Sequence, residues 1–493
     1  MNRLPSRVRW LTTSRRLLIG AVGALIVAAF AAPNVASAGK GGLTTLSPLS
    51  AGAQVARAIR AGTVSLSPAG AHSSSSPDLS VLPNVKASSG TQPVNEVPIT
   101  ADPNNATHLL SGGNDYNCST VQGFYSSGNG GSSWTAHCLA PLAGFAGDGD
   151  PAVAYDMSGN SYIFGIQESG GVGRIVYQKS TNNGSTWSAT ATAILPLFAS
   201  GFTDKEWAES DHGTASPRPG ALYVSVTQFN SNFSQDAISV SHSYDGGATW
   251  STVQVDPTQN LSSQVDQFSD LAVANDGTVY VTWMRCPNVG GLCANTTAKM
   301  LISKSTDGGV TWSAEKQITT AKLTANTCGA FYGCVPGTQE RVSNIPVVDV
   351  DHATGALYVA YYDDSSAIMR VFVRKSTDGG ATWGSPKSMF GGMHHQWLHW
   401  LSIGPSGQVG VSTNFIKTGT QYVTKAAFSL DGGATYTKKK TSTVASNTTS
   451  DGFGGGFIGD YTGNIWTGTT LHQSWPDTRT GVSADETGGL LTP

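Results

Sequence analysis

The chain has 493 residues, of which only 12% are charged, about half the usual share of about 25%, whereas 59 are glycine and 12 are tryptophan. Its formal charge is −3, and this becomes −8 without the five arginines that lie within residues 1–16. A mildly acidic chain without a lysine or arginine cluster is not suited to neutralising phosphates, so nucleic acids and anionic membranes are poor candidate partners. Length alone suggests roughly two to four domains, unless a repeat spreads one core over many similar units.

Residues 1–38 have the pattern of a signal peptide. Five arginines precede an uncharged apolar run at 17–32, and Ala-Ser-Ala at 36–38 provides the small residues of a cleavage site. A transmembrane anchor is the alternative, but 16 helical residues reach only about 24 Å, short of the ~30 Å hydrocarbon core. Ser-Arg-Arg-Leu-Leu at 14–18 also resembles a twin-arginine signal. These features predict a secreted protein with a bacterial export signal.

Residues 39–92 are rich in serine, alanine, glycine and proline, and they contain no repeat. This composition predicts a flexible leader between the signal peptide and the folded part of the chain, residues 93–493. Two strand-like stretches in the leader, 64–66 and 79–82, are candidates for a strand that completes the fold.

Six cysteines predict disulfides, because their number is even and they fall into neighbouring pairs. Six cysteines allow fifteen pairings. The pairing of neighbours is the simplest, because each bond closes only a local loop or hairpin: Cys118–Cys138, Cys286–Cys293 and Cys328–Cys334. A zinc site needs ligand spacing of the C-x-x-C kind, which is absent. The sequence predicts no metal site and no cofactor.

An octapeptide of consensus Ser-x-[Asp/Asn]-x-Gly-x-[Ser/Thr]-[Trp/Tyr] recurs through the chain, beginning at Ser127, Ser180, Ser243, Ser305, Ser376 and Ser429. The pattern is typical of a tight turn between strands. The third residue accepts hydrogen bonds from backbone N–H groups, the glycine adopts a positive φ, and the aromatic residue anchors the turn to the sheet. A catalytic or calcium-binding role for the acidic residues is the alternative, but an active site normally occurs once, whereas this feature occurs six times.

The octapeptide resembles the Asp-box repeat of the sialidase-like β-propellers, and the resemblance covers roughly residue 95 to the C-terminus. It implies that each copy lies on a rim turn between the third and fourth strands of a blade, away from the active-site face.

Successive octapeptides are separated by 53 to 71 residues, about 60 on average, which is the length of one four-stranded blade. Two strand-like runs, 457–461 and 465–469, follow the last copy. The sequence therefore predicts an all-β fold, a β-propeller of seven four-stranded blades, the last completed by a strand from the N-terminal segment. Six blades with the C-terminal tail as an appendage is the alternative.

The resemblance also implies a test of sialidase activity. Sialidases bind the substrate carboxylate with three arginines, the first in a [Phe/Tyr]-Arg-Ile-Pro motif of the first blade, and use a Tyr/Glu nucleophile pair with an Asp acid/base. This chain has no such tetrapeptide and no arginine between Arg60 and Arg174. Tyr461 has the position of the nucleophile, and Glu340 with Arg341 offers its partner and one arginine. The match is partial, so classical sialidase activity is not expected.

Loops that enter the innermost strands build the usual ligand site of a propeller, and in this chain those segments are unusually polar. Carboxylates that meet at one axis can divide into a proton donor and a nucleophile or base, because like charges push their pKa values apart. Tryptophans offer flat apolar faces to sugar rings. We expect four catalytic residues, Asp204, Glu206, Asp460 and Tyr461, and four substrate-binding residues, Arg341, His399, Trp207 and Trp397. For each residue singly, hydrogen bonding to backbone ends and channel water is the alternative.

The sequence thus favours a secreted, monomeric, carbohydrate-active propeller, a glycoside hydrolase or polysaccharide lyase with an acidic site at the channel mouth and a carbohydrate or glycoconjugate as partner. The alternative is a non-catalytic propeller that binds glycan or protein, and a scaffolding role is a weaker third reading.

Overall fold

The computed structural model describes residues 47–68 and 80–492, so the predicted signal peptide and Leu79 lie outside the described residues. The described chain forms seven antiparallel sheets, and the first strands of neighbouring sheets contact one another in order around a closed ring. These strands therefore line a central channel, and the remaining strands of each sheet lie progressively further out. The prediction of a seven-bladed β-propeller is confirmed, and the six-bladed alternative is wrong.

The blades follow one another along the chain, each from its innermost strand outwards. Blades 1 to 3 comprise Val94–Asn95, Ile99–Asp102, Asn105–Asp115, Gly123–Ser127 and Thr135–Cys138; Ala146–Tyr155, Ser161–Ser169, Val172–Ser180 and Ala191–Ile194; and Phe202–Ser210, Leu222–Phe229, Gln235–Ser243, Ser251–Gln254 and Gln259–Asn260. Blades 4 to 6 comprise Gln264–Val273, Val279–Pro287, Thr297–Ser305 and Lys316–Lys322; Val347–Val350, Leu357–Asp363, Arg370–Ser376 and Lys387–Ser388; and Gln396–Ile403, Val409–Thr418, Gln421–Ser429, Thr437–Lys440 and Ser446–Asn447. Blade 7 comprises Gly463–Thr467, Thr470–Asp477, Ala484–Leu491 and, from the N-terminal side, Val85–Lys86.

Strands in the middle of a blade have an apolar neighbour on both faces, since every blade is packed between two others. Leu222–Phe229 is accordingly buried at all eight positions. The largest apolar cluster extends from blade 2 to blade 6 and includes the fully buried Trp397. Trp283 and Trp475 are also fully buried.

Blade 7 is completed by the strand Val85–Lys86, which pairs antiparallel with Thr487 and Glu486, and an isolated bridge joins Val81 to Leu490. The closing strand thus lies just beyond the candidate stretch 79–82. The other candidate, 64–66, lies in a loop, where Val64 is buried in a separate apolar cluster.

Each octapeptide joins the third strand of its blade to the fourth. In all six, the serine hydroxyl donates to the side chain of the third residue at 2.7–3.0 Å. The third residue in turn accepts from the N–H of the seventh at 2.8–2.9 Å. The glycine has φ between 76° and 95°, a conformation that favours glycine. Blade 7 has no such turn because its fourth strand precedes the propeller in the chain.

All six cysteines are bonded as three neighbouring pairs: Cys118–Cys138, Cys286–Cys293 and Cys328–Cys334. The first bond joins the loop before the third strand of blade 1 to the end of its fourth strand, and the other two close short loops. Over the described ranges, no helix has the length and apolar character needed to cross a membrane.

Part of the segment expected to be a flexible leader forms a helix, α1 (Ala51–Arg60), which lies outside all seven sheets. Ser50 caps it, its side chain accepting a hydrogen bond from the N–H of Ala53. The helix is buried from Ala51 to Ala56 and packs with Val55 and its alanines against loop residues that include Tyr116 and Phe453.

Candidate functional site

A bulge recurs where the inner strands enter the channel. In blades 2, 3, 4 and 6 the pairing of the first strand with the second shifts register, and the bulge contains a non-glycine residue with positive φ: Asp150, Lys205, Phe268 or Leu398. Glu96, between the two short inner strands of blade 1, has the same conformation, with φ 55°. Such residues cost about 1–3 kcal/mol each and concentrate at functional sites. The bulges change the alternation of side chains along the inner strands.

Five carboxylates from four blades meet there. This channel cluster consists of Glu96 from blade 1, Asp150 from blade 2, Asp204 and Glu206 from blade 3, and Asp460 from the segment that enters blade 7. All five are at most 1% exposed. Mutual repulsion and burial both oppose ionisation of such a group, so its members cannot all carry charge at neutral pH.

Glu96 and Asp150 lie within hydrogen-bonding range of each other. Ionised carboxylates only accept hydrogen bonds, so one of the two must carry a proton. Burial, with the charge of Asp460 adding to it, raises the pKa of Glu96 to about 7. Burial and the neighbouring carboxylates raise the pKa of Asp150 well above its usual range. The amide of Asn114 orients the pair, donating to Glu96 Oε2 at 2.6 Å and accepting from the Asp150 N–H at 2.7 Å.

The two predicted carboxylates of blade 3 differ in their surroundings. Both oxygens of Glu206 are buried without a hydrogen-bond partner among the described residues, and burial raises its pKa well above the usual range. Asp204 accepts from Gln267 Nε2 at 2.6 Å and from the Ser50 N–H at 2.7 Å. Burial also raises the pKa of Asp204, although these hydrogen bonds oppose the shift.

Two cationic side chains lie beside the channel cluster. Arg341 lies against Asp460, with Nη2 2.9 Å from Oδ2, so this carboxylate has a direct counterion. Lys205 is fully buried, and its ammonium group lies 4.9 Å from the ring centre of Trp207 and 4.4 Å from that of Tyr461. Burial lowers the pKa of Lys205, and nearby carboxylates, Asp270 foremost, oppose the shift.

An aromatic group forms the inner wall of the site. The rings of Trp207 and Trp400 lie 4.2 Å apart between centres, and Tyr461 meets Trp207 edge-on at 5.7 Å. The Tyr461 hydroxyl donates to the carbonyl of Pro151 at 2.9 Å, and burial raises its pKa well above the usual range. Two of the predicted site residues, Trp207 and Tyr461, are thus close to the carboxylates as apolar and hydrogen-bonding neighbours.

The other predicted residues of blade 6 face elsewhere. The Nε2 atom of His399 hydrogen-bonds the carbonyl of Ile345 at 2.7 Å, and burial lowers the pKa of His399 to about 4. Trp397 packs edge-on against Tyr422 within blade 6. Neither hydrogen-bonds a carboxylate of the channel cluster within the described chain.

Sequence reasoning did not select Glu96 or Lys205. A usable signal for Glu96 was its spacing: it precedes Ser127 of the next octapeptide by 31 residues, and Asp150 precedes Ser180 by 30. The two residues therefore occupy the same position in consecutive blades. For Lys205 no signal separates it from an ordinary surface lysine, because its burial depends on its neighbours in space.

Helix α1 covers the channel cluster. The N–H groups of Ser50 and Ala51 donate to Asp204 and Asp460 at 2.7 and 2.9 Å, and Gly52 lies against Glu96 and Asp150. The N-terminal end of a helix carries partial positive charge, which complements these carboxylates. At the other end of α1, Arg57 Nη2 lies 2.6 Å from Glu168 Oε2, and Arg60 pairs with Asp148.

No protein-family profile and no curated protein sequence matches the chain. Among solved structures, it is similar to a Hadza microbial sialidase at 13% identity, over 65% of this chain and 63% of that one, with a TM-score of 0.43. It is also similar to a leech intramolecular trans-sialidase at 11% identity, over 72% and 68% of the two chains, with a TM-score of 0.44. A third similar structure is an α-L-arabinofuranosidase of Fusarium graminearum, at 13% identity over 69% and 92%, with a TM-score of 0.46. The chain thus spans less than two thirds of the microbial sialidase.

Proposed function

We propose that this protein is a carbohydrate-active enzyme, a glycoside hydrolase, with the channel cluster as its catalytic site. The observation that carries the proposal is the meeting of five buried carboxylates, two of which lie close enough to share a proton. Glycoside hydrolysis needs a protonated carboxyl group and an ionised carboxylate at one place, and unequal environments provide such a division.

The roles follow from the surroundings of each group. The proton shared by Glu96 and Asp150 is suited to general acid catalysis, in which it passes to the oxygen of the departing sugar. Asp460, with Arg341 as its counterion, is suited to act as the ionised carboxylate, either attacking the anomeric carbon or accepting a proton from the attacking water. Trp207 and Tyr461 provide an apolar wall beside these groups.

The charge of the site favours a neutral glycan. An anionic sugar would meet an excess of carboxylates, and Arg341 is already paired with Asp460. Elimination by a polysaccharide lyase acts on the carbon beside a sugar carboxylate. The same charge argument therefore favours hydrolysis over elimination, and it opposes a sialic acid substrate.

A non-catalytic, glycan-binding propeller is the second candidate. The observation that favours it is the burial of every carboxylate of the channel cluster, together with two polar surface cavities. These cavities have volumes of about 330 and 580 Å³ and share Asn326 in their walls. For either function we propose that the protein acts outside the cytoplasm as a monomer, a location supported by the three disulfides.

The test is a screen of the purified protein against neutral and acidic polysaccharides, with release of reducing ends, release of unsaturated products and binding all recorded. Glu96→Gln, which alters the proposed acid, and Asp460→Asn, which removes the proposed ionised carboxylate, should each lower kcat/KM at least ~100-fold on any substrate found. The matched control is Asp485→Asn, which changes a buried carboxylate that hydrogen-bonds Ser111 and Ser474 away from the cluster. Full activity in both the Glu96 and the Asp460 variant would exclude the channel cluster, and binding without product release would favour the second candidate.

A further inference from the structure

The segment Ser47–Arg60 contacts the channel cluster in the way that a bound molecule would. It belongs to none of the seven sheets, and the ring is completed without it by Val85–Lys86. Its residues 48–52 nevertheless lie at the channel mouth, where they face side chains from blades 1, 2, 3 and 7.

The backbone of this segment satisfies donors as well as acceptors of the site. The carbonyl of Pro48 accepts from Tyr332 Oη at 2.8 Å and from Gln267 Nε2 at 3.1 Å. The carbonyl of Leu49 accepts from Arg341 Nη2 at 2.9 Å. The next two residues, as described above, donate their N–H groups to carboxylates. Acceptors and donors next to one another are also what a run of sugar hydroxyls presents.

Three buried polar atoms at the same place have no hydrogen-bond partner in the described chain: both oxygens of Glu206, and Lys205 Nζ. The segment therefore uses only part of the hydrogen-bonding capacity of the site. A molecule with more polar groups than one backbone stretch would satisfy more of it.

We infer that Ser47–Arg60 is an internal ligand that closes the channel cluster, and that the site accepts a glycan only when this segment is displaced. The inference rests on the proposed function and adds its regulation. The segment competes with substrate for Arg341, Asp204 and Asp460. Any change that weakens the contacts of the segment with the propeller should therefore raise the affinity for substrate.

The composition of α1 suits a displaceable element. Its buried face is mostly alanine and glycine, and Val55 is the one larger apolar side chain buried along it. Small side chains bury little apolar area, so leaving the propeller costs the helix less than it would cost a strand of a blade. The segment is otherwise held by polar contacts at the channel cluster and through Arg57 and Arg60, and by the buried side chain of Leu49 ahead of the helix.

Gly52→Ala is the direct test. A Cβ at this position would lie closer than 3.0 Å to the side chains of Glu96, Asn114 and Asp150. Alanine is a better helix former than glycine, so α1 itself is not weakened and any release must come from the clash in the site. The matched control is Ala61→Ser, which changes an exposed residue just beyond the same helix.

The Gly52→Ala variant, the Ala61→Ser control and the otherwise unchanged full chain all carry Ala58→Cys as a reporter. Ala58 is 1% exposed and packs against the propeller, so a thiol there is accessible only when α1 is released. The rate of thiol labelling then measures release of α1 independently of any activity. We expect labelling at least about tenfold faster with Gly52→Ala than with Ala61→Ser, and a rise of similar size in apparent glycan affinity, because the competent fraction limits binding. If the Gly52→Ala protein does not fold, the double variant Arg57→Ala/Arg60→Ala takes its place, because it removes the ion pairs at the C-terminal end of α1.

The outcomes separate the two proposals. Unchanged labelling, or faster labelling with glycan bound no more tightly, overturns the internal ligand while leaving the proposed function intact. Faster labelling with no glycan bound or cleaved by any variant overturns the proposed function, and the inference with it.

Discussion

Replacing Arg341 by methionine should destabilise the protein by about 3–5 kcal/mol, because it leaves Asp460 buried without its counterion. The two groups are 5% and 1% exposed and lie 2.9 Å apart. At an effective dielectric constant of about 20, a pair at this distance attracts by roughly 6 kcal/mol, and desolvation offsets part of that. Asp460→Asn removes the charge that Arg341 neutralises, so the double variant should cost less than the sum of the two single variants.

The assay is calorimetric unfolding of the wild type, both single variants and the double variant at one scan rate and pH 7. We expect a coupling energy of at least about 2 kcal/mol between the two positions. The control is Arg374→Met, since this arginine donates to the carbonyl of Gly384 at 3.1 Å and has no acidic partner within the described residues. An Arg341→Met protein as stable as the control variant, or single effects that add within about 0.5 kcal/mol, would refute the assignment of a buried ion pair.

Three further predictions concern the blades. Asp307→Ala should lower the free energy of unfolding by about 1–2 kcal/mol, because it removes the acceptor of the Thr311 N–H and hydroxyl. Asp307→Asn should lower it less, since Asn129 and Asn182 occupy this position in blades 1 and 2. Equal melting temperatures of the two variants and the wild type would contradict this. Burial raises the pKa of Asp485 to about 8, so its contribution to stability is complete below about pH 4 and is lost as the pH rises towards 8. Asp485→Asn should therefore flatten the fall in melting temperature between pH 5 and pH 8, and an unaltered slope would contradict the shift. Replacing both Cys118 and Cys138 by serine should cost about 3 kcal/mol through the loop they close, measured by denaturant unfolding, and a loss below about 1 kcal/mol would count against it.

The number of blades was predictable because it depends on local chemistry. Each octapeptide contains all the partners of its own turn, so a serine, an aspartate or asparagine, and a glycine at fixed spacing suffice to locate the third and fourth strands. Disulfide pairing was predictable for the same reason, since each bond closes a short loop.

The details of the site were less predictable because they depend on which face of a strand each side chain occupies and on residues distant in sequence. Regular alternation would put Trp397 and His399 on one face of their strand, but the bulge at Leu398 changes the alternation, so Trp400 reaches the aromatic group instead. Likewise, Glu96 has no acidic neighbour in sequence and acquires its role only from Asp150 in the next blade. Helix α1 is placed by carboxylates of three blades, which no local pattern in its ten residues reveals.

The two-residue strand Val85–Lys86 has a consequence for how the ring assembles. It joins partners 402 residues apart. Closing a loop of this length costs about 5 kcal/mol in chain entropy, which the contacts of the strand must offset. The six octapeptide turns close within a few residues, so individual hairpins should form early, whereas the seam of blade 7 should form last and open first. Until the final strand, Ala484–Leu491, has been synthesised, the chain is an open arc of blades with unpaired edges. Loss of a few residues from the C-terminal end would therefore leave a folded but unsealed arc, more prone to edge-to-edge association than to complete unfolding.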